Sequence, residues 1–249
     1  MDPTRLKVRS ALTGQRTSGK IATYQQLIVG RSGWGRLLRY ELANFCSFIP
    51  GALGLALRGR LYPGLLGRAG RNVVFGTNVV LRHPHKITIG DNVVIDDNVL
   101  IDAKGSGNTG IAIGSGVYVG RNSILSCKDG DIRLGDGVNI GFNCEIYSSG
   151  AVWVGDNTLL AAYCYLIGGA GYDVDASIPF AAQELRPGTG LRVGSNCWLG
   201  AGVTVMDGVT IGDDSVIGAG AVVIDAVAPG SVAMGVPATV RRARQPLSA

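Results

Sequence analysis

From Val193 to Val227 an aliphatic residue returns at every sixth place, at Val193, Leu199, Val205, Ile211, Ile217 and Val223. Four places after each stands a small residue (Cys197, Val203, Val209, Ser215, Ala221, Val227), and Gly194, Gly200, Gly212 and Gly218 directly follow the aliphatic ones. An amphipathic helix repeats near 3.6 and a half-buried strand at 2, so neither demands a strict six. A hexapeptide coil does: each unit supplies one short strand and one turn, three units close a triangular round, and the next round stacks about 4.8 Å above it. The aliphatic side chain fills the narrow interior and the second inward position admits only a small one. Gly, Asn or Asp at the turn accepts backbone angles that a β-branched residue resists.

The same phase runs back along the chain as seven triplets, opened by Ala69/Phe75/Leu81, Ile89/Ile95/Ile101, Ile113/Val119/Leu125, Leu134/Ile140/Ile146, Val154/Leu160/Leu166, Val193/Leu199/Val205 and Ile211/Ile217/Val223. In the first two hexapeptides of these triplets Gly follows the aliphatic residue at twelve of fourteen places, and the inward position is Val, Ser, Thr, Cys or Ala at all fourteen, which excludes coincidence. The predicted fold is all-β, a parallel β-helix of about seven coils over residues 69–240, with a basic tail at 241–249. Wherever the beat slips, it slips after the third hexapeptide, so all insertions leave from one vertical edge. The largest is the loop 167–192, with 21 residues more than the repeat needs between Leu166 and Val193. A long excursion from a regular scaffold is where function is expected.

Residues 1–68 have a different pattern. The first thirty are polar and basic and predict no element. From Gly33 to Ile49, Trp34, Leu38, Leu42, Phe45 and Ile49 recur at spacings of three and four, one face of a helix that Pro50-Gly51 ends. A second apolar segment, 52–68, is interrupted by Arg58 and Arg60, and neither segment offers the roughly 20 apolar residues of a membrane span. Two roles fit this arm. It can cap the open strand edge at the lower end of the coil, or anchor the protein on an anionic membrane surface, apolar on one side and cationic around it.

Charge bears on that choice, because the net +5 is unevenly distributed. Residues 1–71 carry twelve Lys/Arg against two acids, and residues 72–249 eleven against sixteen. The arginines of the arm alternate with Leu and Gly instead of forming a nucleic-acid reading motif, so no nucleic-acid partner is expected. With 46% hydrophobic residues and 39 Gly among 249, the chain has material for a core and is neither disordered nor collagen-like. The N-terminus has basic residues but no apolar core of a secretory signal after them, so a cytoplasmic protein is expected, with peripheral membrane attachment through the arm as a variant. Cys46, Cys127, Cys144, Cys164 and Cys197 show no metal-like spacing, and three of them occupy the small inward position. Buried, reduced thiols and no metal site are expected.

Hexapeptide coils, one long loop, then WLGAGVTVMDGVTIGDDSVIGAGAVV and a closing GVPATVRR together resemble the left-handed β-helix acyltransferases of the galactoside, maltose and xenobiotic O-acetyltransferase type, over about residues 69–244. The resemblance implies left-handed coiling, against the usual hand of parallel crossovers. It also implies a homotrimer with acetyl-CoA or another acyl-CoA as co-substrate in the groove between neighbouring β-helices. It places Ala201 and Ala219, with the adjoining Gly202 and Gly220 and with Trp198, against the pantetheine arm, and Arg242 against the phosphates. Small residues suit that role, since a slim pantetheine must lie against the coil wall. Ile224-Asp225 stands where the family often has Thr-Lys, a departure that weakens the phosphate contact.

The same resemblance calls for a His just after the first glycines of the loop, as general base on the acceptor hydroxyl. Counted without a gap the position is Gly171, and with a one-residue slip it is Ala170; neither takes a proton. His83 and His85 are the chain's two histidines. They leave the same edge four coils lower, about 19 Å away, so neither substitutes. Three explanations stay open: a His replaced at 170 or 171, a non-catalytic relative, or a carboxylate serving as the base. Gly168, Gly169, Tyr172 and Asp173 still read as an active-site loop, which favours the first. Asn143 and Glu145, one coil below, are candidates for orienting the acceptor.

The expected function is therefore transfer of an acetyl or other acyl group from acyl-CoA to a hydroxyl of a sugar or glycan precursor, with the chain as written impaired. The alternative is a non-catalytic trimeric binding or scaffold protein. A γ-type carbonic anhydrase on the same fold needs three metal-bound His and this chain has two. A sugar-nucleotide pyrophosphorylase needs a nucleotide-binding domain for which residues 1–68 are too short.

Overall fold

The structure, a computed structural model, describes residues 20–169, 171–183 and 186–245. Ala170, one of the two positions expected for the base, lies outside the described residues. Three sheets form the faces of a prism, and each round of chain contributes one strand to each face. On face A the ladder joins Ala69, Ile89, Ile113, Leu134, Val154, Val193 and Ile211. Face B joins Phe75, Ile95, Val119, Ile140, Leu160, Leu199 and Ile217. Face C joins Leu81, Ile101, Leu125, Ile146, Leu166, Val205 and Val223. These are the triplets predicted from the hexapeptide phase, and the architecture is the left-handed parallel β-helix. Its inward side chains, with small partners such as Val138, Cys164 and Val203, make one continuous core. The chain also begins an eighth round. Val227 bridges to Ile211, and Ser231–Gly235 adds to face B before the antiparallel strand Ala238–Ala243 closes it, running past residue 240.

Along each strand successive residues alternate between the neighbouring rounds, so that Gly76 N–H donates to Ile95 O above (2.7 Å) and Val80 N–H to Val99 O above (2.9 Å), while Ile132 N–H donates to Gly110 O below (3.1 Å). The lowest round therefore has carbonyls with no strand beneath to donate to them. The arm supplies the missing donors. Helix α1 (Lys20–Tyr24) runs into a π-helical turn, Gln25–Val29, and is followed by α2 (Trp34–Ser47) and α3 (Gly51–Leu61). The buried Arg58 guanidinium donates to Phe75 O (2.9 Å) and also to Ser47 O and Ile49 O. The Tyr62 and Tyr40 hydroxyls donate to Val79 O and Leu81 O, each at 2.8 Å. The arm thus caps the coil, and does so with polar groups that satisfy buried carbonyls which would otherwise each cost about 1 to 3 kcal/mol.

The apolar stripe predicted on α2 takes no part in this cap. Tyr40, Ala43, Cys46 and Ser47 form the packed side of α2, and Trp34, Leu38, Leu42 and Phe45 lie on the opposite side, in solvent. Among the described residues no helix is long and apolar enough to cross a membrane.

Candidate functional site

The turns between faces B and C stack into one vertical edge. From bottom to top they are Thr77-Asn78, Asp97-Asn98, Arg121-Asn122, Phe142-Asn143, Ala162-Tyr163, Ala201-Gly202 and Ala219-Gly220. The second residue of each turn donates its N–H to the first residue of the turn below, from Asn98 N–H to Thr77 O up to Gly220 N–H to Ala201 O. The second residue is left-handed throughout, with φ between 55° and 70°. Asn and Gly adopt that conformation at little cost, and the lower asparagines add rungs of their own, Asn78 Nδ2 to Asn98 Oδ1 (2.9 Å) and Asn122 Nδ2 to Asn143 Oδ1 (3.2 Å).

Toward the top of this edge the side chains shrink to Ala and Gly, leaving a bare wall. Ala201, Gly202, Ala219 and Gly220 are all exposed on it. Trp198, 55% exposed, stands on face B next to the Ala201 turn. The register from Trp198 through Val216 and Val232 to Arg242 puts Arg242 three strands above it on the same face. Arg242 forms no ion pair among the described residues, whereas the neighbouring Arg244 bonds Asn196 O and Asp214 O. Four of the six residues expected for the co-substrate therefore form one edge, with Asn143 on it two turns below Gly202, while Trp198 and Arg242 stand on face B about three residues of strand away from it.

Tyr163 is a residue on this edge that the pattern of the repeat had not singled out. It is a bulky side chain held at φ 63° and 63% exposed, directly between Asn143 and Gly202. Such a conformation is an outlier for an aromatic residue and persists where surrounding structure imposes it. The signal was available in the sequence: at the fourth place of the seven hexapeptides on this face, the other six have Asn or Gly.

The long loop leaves from the next vertical edge, between faces C and A, after the strand Tyr165–Gly168. Its two ends cross at glycines: a β-carbon on Gly169 would run into Gly188, and one on Gly188 into Gly169. One on Gly168 would run into Val152. Gly171 differs. A β-carbon there meets nothing within 4 Å and its φ lies outside the left-handed region, so nothing in the local backbone requires glycine. Its carbonyl accepts from Arg186 N–H (3.0 Å) in an isolated antiparallel bridge.

Around that bridge the loop is held by its own polar groups. The Asp173 carboxylate pairs with the Arg186 guanidinium. Asp173 N–H donates to Gln183 Oε1 (2.8 Å), and Gln183 Nε2 donates to Asp173 O (3.0 Å) and Ile178 O (3.1 Å). Tyr172 meets the Phe180 ring edge-on. Asp173 is thus occupied as an ion-pair partner.

Glu145 pairs with Tyr165 in the strand register, one coil below the loop's own strand as expected, but at the far end of that strand from the loop exit. Three residues of extended chain separate the two ends, about 10 Å across face C. Within one copy the loop with Gly171 and Asp173 therefore occupies one edge, and Asn143 and the Ala-Gly turns occupy the other, with Glu145 and Trp198 on the two faces that meet there.

The remaining candidates are structural. All five cysteines are buried and free, and burial pushes the Cys127 thiol up to about 12. His83 is buried with Nδ1 3.4 Å from Asp102 Oδ1. Burial, then the Arg31 charge, pushes the His85 imidazole down to about 4. Among the described residues no group of three His, Cys, Asp or Glu side chains is placed to hold a metal ion.

Comparison with known proteins places this geometry among relatives. Residues 190–225 match the family described as bacterial transferase hexapeptide (six repeats), and residues 68–103 and 131–167 match the hexapeptide repeat of succinyl-transferase. A probable acetyltransferase of Mycobacterium tuberculosis is 33% identical over 165 residues, 66% of this chain and 54% of the relative, so the chain spans about half the length of that protein. Nodulation protein L of Rhizobium leguminosarum bv. viciae is 35% identical over 159 residues, 62% of this chain and 76% of the relative. A variant of AntD, an N-acyltransferase from Bacillus cereus solved with dTDP and coenzyme A, superposes with a TM-score of 0.52 at 20% identity, covering 76% of this chain and 89% of that one, a likeness of fold.

Proposed function

This chain belongs to the hexapeptide-repeat acyltransferases, and on that premise we propose that it binds acyl-CoA and transfers the acyl group to a hydroxyl of a sugar or glycan precursor. The observation that supports this reading most is the upper part of the edge between faces B and C, where Ala201-Gly202 and Ala219-Gly220 stack without side-chain bulk, with Trp198 and Arg242 on the adjoining face B. A pantetheine arm lies against such a wall with its amides facing backbone groups, and Arg242 is the cation for its phosphates.

The acceptor oxygen attacks the thioester carbonyl, the carbon–sulfur bond breaks and the CoA thiol leaves, while a base takes the proton of the attacking hydroxyl. The loop and the bare wall occupy different edges of one prism. We assign the site to a homotrimer in which the loop of one copy faces the wall of the next, with Asn143, Glu145 and Tyr163 bordering the acceptor. Acyl-CoA as co-substrate makes the cytoplasm the place of reaction.

We place the base at 171, where a side chain fits and Gly stands, or at 170 with a one-residue slip of the register. Asp173 is engaged by Arg186, so the chain as written turns over slowly. The bare Gly171 also favours a second reading, a binding or scaffold protein that keeps the coil and lacks the chemistry.

Calorimetric titration with CoA tests the first reading. Binding is expected for the unaltered chain, and loss of binding with an intact fold for Ala219→Trp, which fills the wall. Absence of any CoA binding by the unaltered chain would overturn the acyl-transfer reading.

A further inference from the structure

The apolar side of α2 is surplus to the fold. Capping uses Tyr40, Arg58 and Tyr62, yet Trp34 (73%), Leu38 (72%) and Phe45 (75%) stand in solvent in a row with Leu42, and Phe48 and Leu53 continue the surface toward α3. A contiguous face of large hydrophobics on one side of a helix marks a surface that meets another apolar phase.

Charge identifies the partner. Between residues 20 and 71 the chain has eight Lys/Arg and a single acid, Glu41, whose carboxylate accepts from the Tyr24 hydroxyl at 2.8 Å. Arg31, Arg36 and Arg39, with His85, line a cavity of about 320 Å³ at the first turns of α2. Arg36 donates to Ser32 O (3.2 Å), and among the described residues none of the three arginines pairs with a carboxylate. Among the described residues His85 Nδ1, buried there, has no hydrogen-bond partner. Helical spacing puts Arg39 about a quarter-turn from the stripe and Arg36 on the Tyr40 side, with Arg31 ahead of the first turn, so the unpaired cations surround the stripe's N-terminal end and give the apolar face a positive setting, the composition of an interfacial helix.

We propose that the outer face of α2 and the start of α3 docks on an anionic phospholipid bilayer, with Trp34, Leu38, Leu42 and Phe45 at the acyl boundary and the positive charge of Arg31, Arg36 and Arg39 drawing that face to the negative surface. The inference rests on the arm alone and is independent of acyl transfer, so either can fail without the other.

The test is flotation of the full chain with vesicles of phosphatidylcholine alone and of phosphatidylcholine with phosphatidylglycerol. Binding is expected to the anionic vesicles, to fall with added salt, and to drop by roughly tenfold or more in Leu38→Glu/Phe45→Glu and in Arg36→Gln/Arg39→Gln. Both pairs are exposed, so unchanged melting temperatures should accompany the loss. Unaltered protein that stays with neither vesicle, or either double variant floating like the unaltered chain, would overturn the proposal. A fall in oligomer mass by light scattering in the Glu variant, without vesicle binding by the unaltered chain, would assign the face to subunit contacts instead.

Discussion

The coil and the arm are both written in periodic apolar residues, yet they turn them in opposite directions. In the coil each sixth residue points inward because three strands close around it, and side chains such as Ile140 and Leu199 reach zero exposure. On α2 the residues that recur at three and four point outward, and the opposite side, with Tyr40 and Ala43, meets the protein. A closed round leaves no choice of which side is inside. A single helix laid on the end of a prism does leave it, and here unsatisfied carbonyls decide the matter: the side with a hydroxyl to donate is the one that packs.

That contrast predicts unequal costs for similar deletions. Leu199→Ala opens a cavity in a closed core and should destabilise by about 2 to 5 kcal/mol, while Leu38→Ala should stay within about 0.5 kcal/mol. Chemical denaturation of the two variants side by side measures this, and equal shifts would break the comparison. Arg58→Met sharpens it from the other side. The apolar volume of the cap is kept but the donors to Phe75, Ser47 and Ile49 carbonyls are lost, so a cost of about 3 kcal/mol is expected. A neutral result would show that the cap works by covering alone.

A further expected effect is in pH. The folded His85 ring titrates near 4, against about 6.5 for an unperturbed imidazole. Its neutral form is favoured by folding, so its contribution is complete above about pH 6.5 and is lost as the pH falls toward 4, where the unfolded chain takes up a proton that the folded one refuses. His85→Asn should flatten that part of the stability profile. Identical profiles for both proteins would show that another group carries the dependence.

The coil was legible in the sequence because a period of six has one geometric solution, and the strand register follows it triplet by triplet. The helix Trp34–Ser47 was legible too, but not the side it buries. Periodicity shows which residues share a face, and Tyr40 and Arg58 carry no mark that they reach the carbonyls of Leu81 and Phe75. The partition of the candidate residues between two vertical edges follows from the coil count, though it takes the register of Glu145 with Tyr165 to see that the loop exits at the far end of that strand. The choice between Ala170 and Gly171 could not be read at all. The glycines of the loop look alike in sequence, and only the crossing of Gly169 with Gly188, nineteen residues apart, separates those that the backbone requires from Gly171, which it does not.

The most direct measurement is thiol release from acetyl-CoA by the unaltered chain, by Gly171→His and by Ala170→His, across one panel of sugars and at matched protein concentration. An imidazole at 171, or at 170, acts on the acceptor and not on the nucleotide. A rate higher by a factor of about 10² to 10⁴ is therefore predicted on at least one sugar, with CoA affinity unchanged. Equal rates on every sugar for the unaltered chain, Gly171→His and Ala170→His, with both variants folded and still binding CoA, would contradict the assignment of this loop as the place of the base.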